Sequence, residues 1–196
     1  MVVLSAQYAL WSIGVYGFVF WLPSIIKAAP SHGIGVTGLL SAGPYALAVV
    51  LVLGNSRASD RVARRRAYIW LWLVAGAVAF YLSYALGTTN FWPAYVLLII
   101  AGGCMYAPYG PYFAWITEFL PENVSGASMA LINSFGALGG FVGAYAVGWL
   151  DGATNGPGAS FLLMAVALLA AGLLMFLVRQ APATLRGTTT PIGICR

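Results

Sequence analysis

Six stretches of this chain, residues 1–26, 34–56, 67–86, 91–117, 126–150 and 159–178, contain no charged side chain. Each is long enough to span a bilayer, since a helix rising about 1.5 Å per residue crosses the ~30 Å hydrocarbon core in ~20 residues. The connections "KAAPSHG", "GTTN", "EFLPENVS" and "DGATNGPG" are rich in Pro, Gly and Asn, residues that end helices and turn a chain. Transmembrane strands would instead alternate over about 10 residues. The expected fold class is therefore all-α, a polytopic membrane protein with six transmembrane helices over residues 1–179, followed by a disordered cytoplasmic tail at 180–196. The first run, "MVVLSAQYALWSIGVYGFVFWLPSIIK", has no basic leader and is too long for the apolar region of a cleavable signal, so it reads as a spanning helix.

Composition removes the alternatives to a bilayer as solvent. The chain is 61% hydrophobic and 7% charged, whereas soluble domains carry about 25% charged residues. Five of its nine Lys and Arg residues, Arg57, Arg61, Arg64, Arg65 and Arg66, crowd into "SRASDRVARRRAY". A nucleic-acid partner is not expected, because neutralising several phosphates takes basic groups spread along a groove. Positive charge is retained on the cytoplasmic side of membrane proteins. If the arginine loop lies there, alternation of six spans puts both termini there, together with Arg179, Arg186 and Arg196, and leaves only Lys27 outside. Cys104 in an apolar run and Cys195 in the tail form neither a disulfide framework nor a metal site. No metal or cofactor is expected. An intramembrane enzyme needs a nucleophile with a base, or clustered metal ligands. The sole histidine, His32, falls in an outside loop, and no Asp or Glu lies within a span.

Polar side chains distinguish the helices. The first span carries Gln7, Tyr8, Trp11, Ser12 and Tyr16, the fourth Tyr106, Tyr109, Tyr112 and Trp115, and the fifth Ser128, Asn133 and Ser134. Such groups are costly in hydrocarbon unless they face a partner or water. These three spans are candidate cavity walls, while the plain third and sixth are expected to face lipid. Gly136, Gly139, Gly140, Gly143 and Gly148 give overlapping small-xxx-small spacings in the fifth span, suited to tight packing or to a sliding helix. "VYGFVFWLP" in the first span echoes "PYGPYFAWI" in the fourth, as inverted triple-helix repeats would.

Three stretches, "YGFVFWLPSIIK", "SDRVARRR" and "TEFLPENVSGASMALINSFGALGGFVGAYAVG", resemble the C-terminal six-helix half of a major facilitator superfamily transporter, closest to the anion:cation symporters. The resemblance implies alternating-access uptake of an organic anion (a sugar acid, or an aromatic or dicarboxylic acid) with a proton, in the inner membrane. The implied partners are the lipid bilayer, the carboxylate and proton, and an N-terminal six-helix half missing from this chain. A truncated six-helix protein with a structural or regulatory role is the alternative. The family's loop pattern G-x-x-x-D-R-x-G-x-R-R is matched at Asp60, Arg61, Arg65 and Arg66, while Ser56 and Ala63 replace its glycines. It implies a latch built on an Asp60–Arg61 charge relay; an orientation signal alone is the other reading of the loop. Within the half, Tyr8, Ser12 and Tyr16 share one helix face, with Trp11 beside them. With Tyr112 and Asn133 they are the candidate substrate-binding residues. Glu118 is expected at a solvated helix end.

Overall fold

The computed structural model describes residues 1–27, 33–62, 65–87, 90–119, 122–154 and 158–178. The tail at 180–196, Arg64, Arg179 and Ala63 lie outside the described residues. Seven helices follow one another: α1 (Val2–Lys27), α2 (Ile34–Arg61), α3 (Arg65–Gly87), α4 (Phe91–Tyr106), α5 (Tyr109–Phe119), α6 (Glu122–Thr154) and α7 (Gly158–Leu174). Helices α4 and α5 run on as one apolar span, so the described residues make six. Five are long and apolar enough to cross a bilayer, and α7, with 17 residues, is shorter.

Several boundaries differ from the sequence expectation, among them both ends of α6, which runs four residues further each way than 126–150. Helix α2 continues through Ser56 to Arg61, since nothing in "SRASDR" breaks a helix, so most of the expected arginine loop is helical. The fourth span is interrupted between Tyr106 and Tyr109, at Ala107 and Pro108. Helix α7 stops at Leu174, and the next three residues tighten into i→i+3 turns, with Met175, Phe176 and Leu177 N–H groups bonding the Gly172, Leu173 and Leu174 carbonyls.

The principal packing pairs are α1 with α6, α1 with α7, α3 with α4, α3 with α7, and α2 with α4. Exchanging α1 with α4, α2 with α6 and α3 with α7 maps this set onto itself. The two triplets run through the membrane in opposite senses, so the bundle is a 3+3 inverted repeat. The echo seen in the sequence falls in equivalent helices, with Tyr16 in α1 and Tyr109 at the start of α5.

Packing without a hydrophobic driving force between helices relies on close backbone approach and on hydrogen bonds. In α1, Leu4, Trp11, Val15, Phe18, Leu22 and Ile26 recur at helical spacing on one buried face. Ile69, Leu73 and Phe80 of α3, Met164 and Leu168 of α7, and Met175 just beyond it close on them. Side-chain donors stitch helices to neighbouring backbones: Tyr95 Oη to Leu40 O (2.8 Å), Ser83 Oγ to Ala94 O (2.8 Å) and Ser160 Oγ to Val147 O (3.1 Å). Helices α3 and α7 each bury one face and turn the other outward, with Leu71, Val78 and Tyr81 on α3 and Leu162, Val166 and Leu173 on α7 exposed. Helix α2 is also largely exposed, through Leu39, Val49, Val50 and Leu53.

Candidate functional site

The interruption of the fourth span follows from "YAPYGPY". Proline has no N–H, so Pro108 and Pro111 leave the carbonyls of Cys104 and Ala107 without their i+4 donors. Two neighbouring helices bond the backbone here. Trp11 Nε1 of α1 donates to Met105 O (2.9 Å), and Asn55 Nδ2 of α2 donates to Ala107 O (2.8 Å). Asn55 Oδ1 in turn accepts from Trp72 Nε1 of α3 (2.8 Å). The helix resumes with Tyr112 N–H bonding Pro108 O (2.9 Å). Gly110 lets α5 approach Ser56 of α2, where a side chain would collide with the Ser56 hydroxyl. Unpaired backbone groups are not sustainable in hydrocarbon, which is why an irregular backbone at this depth draws side-chain partners.

Around this joint five tyrosines converge from four helices. Tyr106 and Tyr109 flank the break and stack, with ring centroids 5.7 Å apart and planes at 27°. Tyr45 of α2 lies 6.0 Å from Tyr106. Tyr8 meets Tyr109 edge-on, with ring centroids 6.4 Å apart, and Tyr16 is within electrostatic reach of Tyr8, Tyr106 and Tyr109. Helix α1 is seated for this by the glycines of α6: Gly136 lies against Tyr8 and Ser12, and Gly140 against Tyr16. The group offers neutral donors, acceptors and aromatic faces, and carries no charge. It can hydrogen-bond carboxylate or hydroxyl oxygens and stack against flat apolar surfaces.

The sequence-predicted residues do not all come together. Tyr8 and Tyr16 belong to the cluster, Tyr16 at 40% exposure and Tyr8 at 6%. Ser12 is buried beneath Gly136. Trp11 and Tyr112 are fully buried supports with their polar groups already committed, Trp11 to Met105 and Tyr112 Oη to Leu4 O (3.1 Å). Trp11 lies 4.5 Å from Tyr109, and Tyr112 stacks on Tyr8 at 5.5 Å. Asn133 is exposed on α6, one turn before Gly136. Tyr45 and Asn55 are absent from the sequence-derived set, although the cost of polar groups in an apolar helix applies to α2 as it does to α1. Tyr112→Phe is expected to destabilise the chain by about 1–2 kcal/mol, because a buried bond to Leu4 is lost. Tyr16→Phe should stay within about 0.5 kcal/mol of the parent. Thermal melts of the detergent-purified chain separate the two; equal losses would place Tyr16 among the supports.

At the arginine-bearing end, Asp60 is paired, though not with Arg61. Arg61 is exposed at the end of α2, whereas Arg65, the first residue of α3, reaches back across the connection. Its Nη2 lies 3.0 Å from Asp60 Oδ1 and 2.9 Å from Glu118 Oε1. Glu118, exposed at the end of α5 as expected, is also an ion-pair partner, and Arg65 ties α2, α3 and α5 together. Arg66 donates to Val178 O (3.4 Å) and lies over the Phe176 ring at 5.0 Å, holding α3 to the end of α7. Arg65 is the least exposed of the three paired groups, at 16%, and Asp60 the most, at 62%. Exposed pairs contribute about 0–1 kcal/mol. Asp60→Asn should fall in that range, and Arg65→Ala should cost more, about 1–2 kcal/mol, because it leaves two carboxylates without their shared cation. Melting temperatures in low salt test the order, and a larger loss for Asp60→Asn would reverse the assignment.

Six apolar spans in inverted triplets, one of them broken at prolines, define a multi-pass helical membrane bundle. The chain belongs to the Major Facilitator Superfamily, whose family model matches residues 4–192. It is 32% identical to a "Putative tartrate transporter" of Agrobacterium vitis over 186 residues, covering 93% of this chain and 40% of that protein. It is 28% identical to a "Quinolone resistance transporter" of Acinetobacter baumannii over 178 residues, 91% of this chain and 41% of that protein. It is also 30% identical over 175 residues to the "Putative metabolite transport protein NicT" of Pseudomonas putida, covering 88% and 39%. The chain thus spans about two-fifths of the length of these relatives.

Proposed function

We propose that this chain is the C-terminal half of a secondary transporter that takes up an organic anion together with a proton by alternating access. The carrying observation is the neutral cluster of Tyr8, Tyr16, Tyr45, Tyr106 and Tyr109 at a broken helix, in a family whose relatives are named for tartrate and metabolite transport. Phenol hydroxyls donate to carboxylate oxygens, and the irregular α4–α5 joint gives a span that can bend. Its partner would be a second six-helix half, matching the part of the relatives' length that this chain does not span. Arg65, Asp60 and Glu118 would be the latch at the cytoplasmic end, with the N- and C-termini on that side of the inner membrane.

The relative named for quinolone resistance favours a second reading, in which the aromatic faces hold a flat drug-like molecule. Uptake by the chain co-reconstituted with the N-terminal half of the Agrobacterium tartrate relative distinguishes the two. Saturable entry of labelled tartrate driven by an inward proton gradient supports the anion reading. Movement of a fluoroquinolone without tartrate uptake supports the drug reading. Movement of neither overturns both and leaves a structural role for the six-helix unit.

A further inference from the structure

We propose that Asn55 is the positioning residue of the broken span: its amide holds the Ala107 carbonyl that Pro111 leaves without a helical donor, and so fixes the joint on which Tyr106 and Tyr109 meet. Three observations lead to this. Asn55 is 5% exposed, at the point where the apolar run of α2 gives way to "SRASDR", and both ends of its amide are bonded at 2.8 Å. Its orientation is not free, since Trp72 Nε1 can donate only to the amide oxygen, which turns the NH₂ group toward Ala107. The accepting carbonyl is one that the local sequence strips of its own partner, because residue 111 is proline.

The consequence reaches the tyrosines through backbone geometry. Ala107 lies between Tyr106, which ends α4, and Tyr109, which begins α5, and the stack between the two rings depends on the turn in between. Met105 on the same turn is fixed from α1 by Trp11, which also packs on Tyr109. The joint is thus clamped from two helices, with α2 supplying the donor that replaces the missing N–H. A change in the α2–α5 distance would release Ala107 and with it the Tyr106–Tyr109 pair. This rests on the reading of the cluster as a site only for its relevance to transport; the geometry stands apart from it.

The test is a cycle between Asn55 and Pro111. Pro111→Ala returns an N–H that can bond Ala107 O within the helix, so it should make Asn55 dispensable. The reporter is Tyr106→Cys in a Cys104→Ala/Cys195→Ala background, in membranes containing the full chain, titrated with a small maleimide. Asn55→Leu is expected to change the labelling rate by about fivefold or more, the equivalent of one net hydrogen bond. The same substitution in the Pro111→Ala background should change it by less than about twofold. Equal changes in both backgrounds, or none in either, overturn the proposal. Should Asn55→Leu fail to accumulate, recovery of membrane levels in the double variant supports the proposal, and no recovery overturns it. Because labelling needs no substrate, failure here is distinct from failure of the transport reading. In the reassembled transporter, Asn55→Leu should raise the KM for tartrate with kcat less affected, an effect a merely structural role would not produce selectively.

Discussion

Replacing Gly139 with alanine is expected to disrupt the bundle, although alanine is the better helix former. A β-carbon at this position would lie 2.8 Å from the carbonyl carbon of Ala9 and 2.9 Å from its Cα, with the carbonyl oxygen nearer still. These are backbone atoms of α1, which cannot rotate aside as a side chain does. The two helices must therefore separate along their contact, and Gly143, whose β-carbon would meet Ile13 O at 2.5 Å, would be lifted with it. Overpacking against movable neighbours costs about 1–3 kcal/mol, and against a fixed backbone the loss should reach or exceed ~3 kcal/mol. The controls lie in the same helix. Gly126 and Gly152 have nothing near a β-carbon, so alanine there should be neutral or stabilising by up to about 1 kcal/mol through helix propensity. Melting temperatures and membrane levels of the three variants decide the matter. A Gly139→Ala protein as stable as Gly126→Ala would show that α6 can slide on α1 at little cost.

The chain reconstituted alone in liposomes is expected to show no saturable, proton-driven uptake of tartrate above protein-free vesicles. An organic anion near the bilayer centre requires a cation or several strong donors, and a coupling proton requires a titratable carrier. Among the described residues the charged side chains stand at helix ends: Arg57, Asp60 and Arg61 close α2, Arg65 and Arg66 open α3, Glu118 closes α5 and Asp151 lies near the end of α6. The tyrosine cluster contributes neutral donors only. On the proposed division of labour, both the charge partner and the proton carrier come from the other six helices, and uptake should appear when that half is added. Proton-driven uptake by the chain alone would refute this and place the coupling group within these residues.

The amino-acid sequence by itself determined the solvent, the element type and the count. Apolar run length, the absence of charge and the helix-ending connections are local properties, and they marked six spans whose ends fall within about five residues of those in the fold. The glycine spacing of the fifth span likewise announced the tight contact that α6 makes with α1. Of the polar side chains singled out in the first span, Tyr8 and Tyr16 fall beside the interrupted fourth span. What each polar group does was a matter for tertiary structure. Trp11 and Met105 are 94 residues apart and Asn55 and Ala107 are 52 apart, so no local pattern shows that a donor is already bonded to a carbonyl. That is why the sequence does not show that the Trp11 indole and the Tyr112 hydroxyl are bonded to backbone carbonyls of other helices. It is also why Asp60 pairs with Arg65, a cation it shares with Glu118, instead of with its neighbour Arg61: α2 carries on as a helix past Ser56, and the partner of Asp60 becomes the arginine that begins the next helix. Local hydropathy sets where a helix lies, whereas the pairing of polar groups in hydrocarbon is fixed by whichever partner the packing of other helices brings within 3 Å or so.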